Sequence, residues 1–503
     1  MRLDVLFIHP NTSPLIYGSL AEDLAAVEPP FMAALLAAGV RQAGFSVDLL
    51  DAGALGLDLG RVAELVMNSR PRLVVIVVHG QQPSASSQMM GGVGDLCRAI
   101  KMVSDTKILL TGTHPAALPL RTLTQEAVDY VATGEGLDTI LGLLQCRAEE
   151  GSYRRVPGLH WLQDGIFISS VERGEAGKEL DLEYGSVAWD MLPLGLGYYR
   201  AHNWHAHFQP AAQRLDYASL YTSLGCPYKC SFCCINAPFR ARGISGIRHW
   251  SADWVLNQVG VLVEQYGVRH LKFIDEMYCL DKRHVKGIAR GIIKAGYDLN
   301  IWAYARVDTV GDEEMLELMA RSGVKWLVLG IESANRNVRA GADKNFSNEA
   351  VVQAVERVER AGIDVLGNYM VGLRTDTQET MRETLVLAKQ LKTLWFNLYA
   401  TMAYPGAPDY GWAQSRGYAL PGDKDVPGGW TAYSHHSYYT LPLPTETLSA
   451  AEVLRFRDQA FNDYFSYEPY LERVHARFGF PAINHINEMN TIKLKRRILG
   501  DKL

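Results

Sequence analysis

The chain alternates segments typical of β-strands with segments of helical length, in two separate series. In the first series, from residue 1 to about 146, the strands are continuous runs rich in valine, isoleucine and leucine. Strands that are apolar along their whole length and separated by helices indicate a parallel sheet covered on both faces. We predict strands at 5–9, 47–51, 73–79, 108–111 and 130–132, and helices at 30–43, 61–68, 88–102 and 137–146.

The second series begins near residue 220. Strands are predicted at 221–224, 270–274, 301–304, 326–329, 365–371 and 395–401, with helices at 252–266, 282–295, 312–322, 348–361 and 377–391. Six such units predict an open (βα)6 barrel, and the functional loops of a parallel barrel lie at the carboxyl ends of its strands. Two amphipathic helices are predicted in the tail, near 449–464 and 468–478.

The predicted fold class is therefore α/β, with four segments. Residues 1–148 form a doubly wound, Rossmann-like domain, 149–214 a connector, 215–405 the partial (βα)6 barrel, and 406–503 a mainly helical cap. Within the connector, the stretch 199–207 is rich in histidine and aromatic residues. We interpret it as a surface loop in preference to a wall of a binding site.

Three cysteines, Cys226, Cys230 and Cys233, follow the first strand of the barrel in the spacing C-x3-C-x2-C. Cubane 4Fe–4S clusters usually have four thiolate ligands, so three would leave one iron open. Zinc would want a fourth ligand in a closed tetrahedral set, and no second cysteine or histidine pair follows. A disulfide framework is disfavoured because three is an odd number and no signal peptide is apparent. Cys234 and Cys279 fit buried thiols better than ligands.

The composition excludes several classes of function. A net charge of −5 gives no support for a nucleic-acid surface, and the short basic run 493–497 is typical of a solvated helix face. No stretch approaches the ~18–20 uninterrupted apolar residues of a membrane span. Seven cysteines without a secretory signal favour the reducing cytoplasm.

Aromatic residues and histidines of the tail suggest a capped, partly apolar pocket, although they fit a core equally well; they are Trp430, Tyr433, His435, His436, Tyr438 and Tyr439.

Polar residues and glycines cluster after the strands of the first series. Because ligands of doubly wound sheets bind at the carboxyl ends of the strands, these residues are candidates for a binding site. The candidates are Asn11, His79, Gln81, Gln82, Ser84, Gly112, Thr113, His114, Gly134 and Glu135.

The cysteine loop, Leu-Gly-Cys-Pro-Tyr-Lys-Cys-Ser-Phe-Cys, closely resembles the cluster loop of radical S-adenosylmethionine (SAM) enzymes, including the aromatic residue before the third cysteine. The resemblance spans roughly 215–405. It implies a 4Fe–4S cluster on the three cysteines, with SAM bound at the open iron. It also implies SAM contacts at successive strand ends: Asp275, Glu276, Arg306, Glu332, Ser333 and Asn368. The carboxylate of SAM would pair with Arg306 or Lys344.

The first domain resembles the cobalamin-binding domain that precedes the barrel in one large subclass of these enzymes. The resemblance rests on Glu28-Pro29-Pro30 before the first helix, on Asp51 ending the second strand, and on the polar loops. The D-x-H-x-x-G sequence that supplies a histidine to cobalt is missing. The lower face often has no protein ligand in this subclass, which leaves His79 and Gln81 as neighbours of that face.

Together the two resemblances imply methylation of an unactivated carbon, or of phosphorus, in a small-molecule or lipid-like metabolite. The reaction would use a 5′-deoxyadenosyl radical, methylcobalamin and an electron donor such as flavodoxin or ferredoxin.

The alternative within the family is an oxidative cyclase or rearrangement enzyme, like the anaerobic magnesium-protoporphyrin ester cyclase. An RNA methylthiotransferase is disfavoured because that group carries a second three-cysteine site, whereas only Cys97 and Cys146 precede this barrel. A non-catalytic cobalamin carrier gives no reason for the cysteine triplet.

Overall fold

The first third of the chain forms a seven-stranded sheet of order β2-β1-β3-β4-β5-β6-β7. The structure, a computed structural model, describes residues 3–18, 20, 25–80, 82–146, 153–171, 179–238 and 246–502. The strands are β1 Val5–His9, β2 Val47–Asp51, β3 Leu73–Val78, β4 Lys107–Gly112, β5 Tyr130–Ala132, β6 Leu159–Gln163 and β7 Ile166–Ser169. Strands β1 to β5 are parallel, and the order of strands in the sheet reverses between β1 and β3, which is where doubly wound sheets bind ligands.

Helices cover both faces of this sheet, as predicted. They are α1 Ser13–Tyr17, α2 Phe31–Gln42, α3 Leu59–Ser69, α4 Ala85–Val103, α5 Thr113–Ala117, α6 Pro119–Gln125, α7 Leu137–Gln145 and α8 Leu180–Tyr184. Residues 31–40 of α2 are all buried, because this helix is covered by the sheet on one side and by the connector and barrel on the other.

Strands β6 and β7 form an antiparallel hairpin on the edge of the sheet, where β6 pairs with β5. The sequence analysis placed these residues in the connector. Their placement depends on pairing with β5, which local sequence does not report.

The second half contains six parallel strands in the order β8-β11-β12-β13-β14-β15. The strands are β8 Tyr217–Leu220, β11 His270–Phe273, β12 Asn300–Arg306, β13 Val324–Glu332, β14 Asp364–Val371 and β15 Trp395–Ala400. The helices are α9 Ala252–Tyr266, α10 Lys282–Ala295, α11 Glu313–Arg321, α12 Arg336–Gly341, α13 Asn348–Arg360 and α14 Gln378–Leu391. The predicted (βα)6 barrel is confirmed.

The first barrel strand lies earlier than predicted. Residues 217–220 pair with β11, whereas the predicted strand 221–224 leaves the barrel and contributes to β9, Ser223–Gly225, which pairs antiparallel with β10, Ile247–His249. The prediction of this strand was wrong because the apolar run continues past the last barrel residue. Asp275, after β11, accepts the Thr222 N–H at 2.9 Å and so turns the chain out of the barrel.

The histidine-rich stretch of the connector lies against the amino-terminal ends of the barrel strands. His205 is fully buried, and its Nε2 lies 2.9 Å from the Asn300 carbonyl oxygen at the start of β12. The Trp204 ring packs edge-on against Trp302 and Trp326, each with ring centroids 5.2 Å apart. The surface-loop interpretation was wrong, since these rings form the floor of the barrel.

The tail is mainly helical, as predicted, with α15 Pro408–Ser415, α16 Ala450–Phe465, α17 Glu468–Phe478 and α18 Phe480–Thr491. A capping box between Ser449 and Glu452 begins α16. The Tyr464 ring stacks on Phe396 of β15 with centroids 4.0 Å apart, which fixes α16 to the edge of the barrel. Helices α15 and α18 were not predicted. Among the described residues, no helix combines the length and hydropathy needed to cross a membrane.

Candidate active site

Two cavities lie between the first sheet and the barrel. The larger has a volume of about 1120 Å³ and is bounded by the carboxyl ends of β1 and β2, the barrel interior, the connector and the tail. The narrower has about 40 Å³ and lies between the carboxyl ends of β3, β4 and β5 and the loop that precedes the cysteines. The candidate site therefore lies at the edge where parallel sheets bind ligands.

The three cysteines lie on one loop after β9. Cys226 is buried and Cys230 and Cys233 are half-buried, and the Cys233 N–H donates to the Cys230 carbonyl at 3.1 Å. Burial raises the pKa of all three thiols, that of Cys226 to about 12. Among the described residues, no three histidine, cysteine, aspartate or glutamate side chains converge on a single metal ion.

Asp275 holds the start of the cysteine loop. Its carboxylate accepts the Thr222 N–H and hydroxyl, both at 2.9 Å, and also the Ser223 hydroxyl. Asp275 is 1% exposed, and its burial raises the pKa of the carboxyl while these hydrogen bonds oppose the rise. Since both oxygens are engaged within the protein, Asp275 positions the loop.

Glu276, the next residue, lines the narrow cavity. Burial raises the pKa of its carboxyl to about 7, with Lys272 opposing the shift. A carboxylate at a cavity wall whose charge is costly to hold can be stabilised by a cationic ligand.

Arg306, at the end of β12, lies against the cysteine loop. Its guanidinium donates to both oxygens of Asp308, each at 3.0 Å, and its Nη1 lies 3.9 Å from the Cys230 sulfur. The Arg306 guanidinium carbon also lies 3.9 Å from the centre of the Tyr228 ring. Arg306 therefore places positive charge beside the thiols.

Glu332 and Lys344 form a buried ion pair, with side chains 8% and 7% exposed. Glu332 ends β13 with φ of +64°, and the pairing with β14 shifts register at this residue. A residue with a side chain seldom adopts this conformation, and such strained positions cluster at functional sites. The structure brings these two predicted residues together.

Ser333 and Asn368 make contacts within the protein. The buried Ser333 hydroxyl accepts the Asn335 N–H at 3.2 Å. The Asn368 side-chain oxygen accepts from the Asn397 amide at 3.0 Å, and Asn397 lines the large cavity. Ser333 thus supports the loop, and Asn368 supports a wall residue.

The structure divides the candidates of the first sheet between the two cavities. Asn11 and Gln82 line the large cavity. Those lining the narrow cavity are His79, Gly112, Thr113, Gly134 and Glu135. Ser84 and His114 line neither cavity, and Gln81 lies outside the described residues.

At the end of β4, a ligand can approach the backbone closely. Gly112 has φ of +139°, and a side-chain carbon there would lie 2.0 Å from the Val78 carbonyl oxygen, so glycine is required. The adjacent Thr113 is 2% exposed, and its hydroxyl has no hydrogen-bond partner among the described residues. A buried, unpaired hydroxyl beside a cavity fits a polar ligand group.

Two other residues of this edge are engaged with the protein. Glu135 forms an ion pair with Arg248 and accepts the Tyr184 hydroxyl at 2.9 Å. His114 is buried, its Nδ1 lies 3.0 Å from the Ser87 hydroxyl, and burial lowers the pKa of its imidazole to about 3. Both residues hold the first sheet to its surroundings.

The rings of His79 and Tyr221 lie nearly perpendicular, with centroids 6.3 Å apart. Its Nδ1 lies 3.0 Å from the carbonyl oxygen of Gly80. Burial lowers the pKa of the imidazole to about 4, so His79 is neutral near pH 7.

A chain of three hydrogen-bonded residues, two of which line the large cavity, was not predicted from the sequence. The buried Asp51 carboxylate accepts the Tyr199 hydroxyl at 2.8 Å, and its other oxygen lies 3.1 Å from His9 Nδ1. A carboxylate on one imidazole nitrogen orients the ring and directs the other nitrogen to a ligand. The available signal was that predicted strands 5–9 and 47–51 end in His9 and Asp51, which are directly paired when β1 and β2 are neighbours.

Comparison with known proteins agrees with this geometry. Residues 220–388 match the sequence model of the radical SAM superfamily, and residues 20–144 match that of the B12-binding domain. The chain belongs to the cobalamin-dependent radical SAM enzymes. Both family resemblances inferred from the sequence are confirmed.

Relatives of this radical SAM enzyme include two kinds of protein. An uncharacterized methyltransferase of Pyrococcus horikoshii is 23% identical over 409 residues, which cover 80% of this chain and 82% of the relative. The anaerobic magnesium-protoporphyrin IX monomethyl ester cyclase of Cereibacter sphaeroides is 23% identical over 399 residues, which cover 76% of this chain but only 59% of the cyclase.

Two solved structures share the fold. The methyltransferase TsrM from Kitasatospora setae, with tryptophan and a SAM analogue bound, superposes with a TM-score of 0.64 and 19% identity, covering 86% of this chain and 83% of TsrM. The cobalamin-dependent enzyme OxsB, with aqua-cobalamin and SAM bound, gives a TM-score of 0.68 and 13% identity, covering 97% of this chain and 72% of OxsB.

Proposed function

We propose that this enzyme transfers a methyl group to an unactivated carbon, or to phosphorus, of a small-molecule or lipid-like metabolite. The observation that carries the proposal is the large cavity, onto which the carboxyl edge of the first sheet and the barrel interior both open. A cofactor on the first sheet and a substrate in the barrel could meet there.

The proposed domains are 1–148 for cobalamin, 149–214 as connector, 215–405 for cluster and SAM, and 406–503 as cap. We propose the cytoplasm as the location and flavodoxin or ferredoxin as the electron donor.

Several residues fit the proposed cofactors. Cys226, Cys230 and Cys233 would hold the cluster, because three thiols on one loop suit a cubane with one open iron. The unpaired Thr113 hydroxyl and the close approach at Gly112 suit a polar portion of cobalamin. When bound, the cluster, SAM and cobalamin would supply the electron, the radical and the methyl carrier.

The charges of this chain would orient SAM. Glu276 would face the ammonium or sulfonium group, since its carboxylate lines a cavity and is costly to ionise without a cation. Lys344 would exchange part of its pairing with Glu332 for the carboxylate of SAM. Arg306 lies close to the Cys230 sulfur, and its positive charge would stabilise the thiolate form.

The test is product analysis with labelled SAM and the cofactor-loaded full chain. A methylase should form S-adenosylhomocysteine and 5′-deoxyadenosine in near-equal amounts and transfer the labelled methyl group to product. Deoxyadenosine alone, with the product two hydrogens lighter than the substrate, would replace this proposal with the cyclase function. The similarity to the Cereibacter sphaeroides cyclase makes that the second candidate.

A further inference from the structure

The tail end of the large cavity carries polar groups that have no partner among the described residues. His435, His436 and Arg457 line the cavity there, together with Tyr17 of α1 and Tyr399 of β15. The Tyr17 and His436 ring centroids are 5.3 Å apart, and those of Tyr399 and His435 are 5.5 Å apart. These five residues, the tail pocket, come from the first domain, the barrel and the cap.

Arg457 is 91% buried, with 9% of its surface exposed. Its Nε donates to the Leu398 carbonyl oxygen at 3.0 Å, and its Nη1 to Asp458 at 2.9 Å. Among the described residues, nothing accepts from its Nη2. That nitrogen is not fully buried, and Arg457 lines the large cavity, so Nη2 is available to a ligand there.

The charge around Arg457 is not balanced. Arg496 donates to both oxygens of the same Asp458, at 2.8 and 3.0 Å, so one carboxylate serves two guanidinium groups. Asp501, which also lines the cavity, is exposed and accepts the backbone N–H of Arg496 at 2.7 Å. One positive charge therefore remains within a largely buried pocket, where it is costly without an anion.

Arg496 also corrects an expectation. The basic run 493–497 was predicted to be a solvated helix face, but Arg496 is 1% exposed. Its Nη1 donates to the Ser437 carbonyl oxygen at 3.1 Å and lies 3.0 Å from the Thr440 hydroxyl. This arginine ties the end of the chain to the histidine-bearing loop, so its role is to shape the pocket.

The two histidines add hydrogen-bond donors. Nδ1 of His435 and Nδ1 of His436 are buried without a partner among the described residues. A buried N–H without an acceptor is costlier than a buried lone pair, so the proton of each neutral ring belongs on Nε2. Burial and Arg457 lower the pKa of both rings, which keeps them neutral near pH 7. Since both residues line the cavity, the Nε2–H of each ring is the donor that it can offer to a ligand there.

We propose that the tail pocket binds an anionic group of the methyl acceptor, a carboxylate or a phosphonate or phosphate, through Arg457 Nη2 and the Nε2–H groups of His435 and His436. The inference rests on the proposed function, because it assigns the pocket to that substrate. Tyr399 and Phe232 of the cysteine loop both pack against one apolar cluster that includes Met370, so a substrate anchored in the pocket would extend toward the cysteine loop.

Binding can be tested without turnover. The full chain, loaded with cluster and cobalamin, is titrated calorimetrically with methylphosphonate, with propionate and with uncharged propionamide. We expect one of the two anions to bind and propionamide not to bind, and the preferred anion identifies the acid. Arg457→Gln should weaken that binding about tenfold or more, because it removes a charge-assisted hydrogen bond. Arg455→Gln is the matched control, since Arg455 is exposed on the same helix.

A second variant keeps the inference testable if Arg457→Gln does not fold. The double change His435→Phe and His436→Phe removes both Nε2–H groups and keeps an aromatic ring at each position, so it should weaken anion binding several-fold. Equal binding of propionamide, or unchanged anion binding in the histidine variant and in any folded Arg457→Gln, would overturn the inference. Competition by SAM, or anion binding only in the absence of cobalamin, would assign the pocket to a cofactor and also overturn it. Failure of methyl transfer alone would count against the proposed function only.

Discussion

The cysteine side of the barrel, which consists of the cysteine loop and the strand ends around it, differs from the tail pocket in how its polar groups are paired. On the cysteine side, Asp275 is bonded to Thr222 and Arg306 to Asp308, so both side chains are held by partners within the chain. In the tail pocket, Nδ1 of His435 and Nδ1 of His436 have no partner among the described residues. Paired groups hold one geometry before any ligand arrives, which suits cofactors common to a family. Unpaired groups can form hydrogen bonds with a ligand, which suits a substrate particular to one enzyme.

The largest expected effect is loss of the cluster. Cys226→Ala, Cys230→Ala and Cys233→Ala should each abolish the uptake of about four iron and four sulfide per chain, because a cubane cannot be held by two thiolates. Iron and sulfide analysis after anaerobic reconstitution, with the visible charge-transfer absorbance, measures this. Cys234→Ala and Cys279→Ala are the controls and should bind iron normally. Stoichiometric zinc in the unaltered protein would refute the cluster itself.

The next effect tests whether the cysteine loop is already ordered before the cluster binds. Asp275→Ala leaves the Thr222 N–H and hydroxyl without their acceptor, and we expect a loss of about 2–4 kcal/mol in the free energy of unfolding. Denaturant unfolding of the cluster-free protein measures it. Asp298→Asn, at a side chain 95% exposed, should change little. An Asp275→Ala protein of normal stability would show that the loop is ordered by the cluster alone.

A smaller effect concerns pH. Glu276, with a pKa of about 7, is charged above that pH and neutral below it. If its carboxylate faces SAM, the affinity for SAM should fall as the pH drops through about 7, by up to about tenfold per unit of pKa change on binding. Equilibrium binding of SAM between pH 6 and about 8 measures this. Glu276→Gln should remove the dependence, and Glu317→Gln, at a side chain 71% exposed, should keep it. A pH dependence that survives in Glu276→Gln would assign it to another group.

The smallest expected effect is that of His79→Ala on the spectrum of bound cobalamin, which we expect to stay unchanged. The D-x-H-x-x-G sequence is missing, so we expect no nitrogen splitting in the electron paramagnetic resonance signal of cob(II)alamin, and no change of that signal in His79→Ala. Splitting that is lost in His9→Ala would identify the imidazole oriented by Asp51 as a cobalt ligand. The first sheet would then resemble the tail pocket, with a group kept free for its ligand.

The ends of strands could be predicted where an apolar run in the sequence ends at the same residue as the strand. The predicted strands 5–9, 47–51 and 130–132 have the observed bounds, because apolar runs there stop at polar residues. The first barrel strand was misplaced because its apolar run continues beyond the sheet. Helix α18 escaped prediction, since its buried positions, Ala482 and Ile486, are too few to give a clear apolar face.

The sequence by itself determined the two βα series, the cysteine loop and the order of charged residues at the barrel strand ends. Periodicity and spacing along the chain report such features because neighbouring residues create them. Only the tertiary structure decided that His9 meets Asp51 and Tyr199, and that Arg457 and Arg496 share one carboxylate. These contacts join residues from separate elements, and a side chain acquires its burial and partners only when those elements pack together.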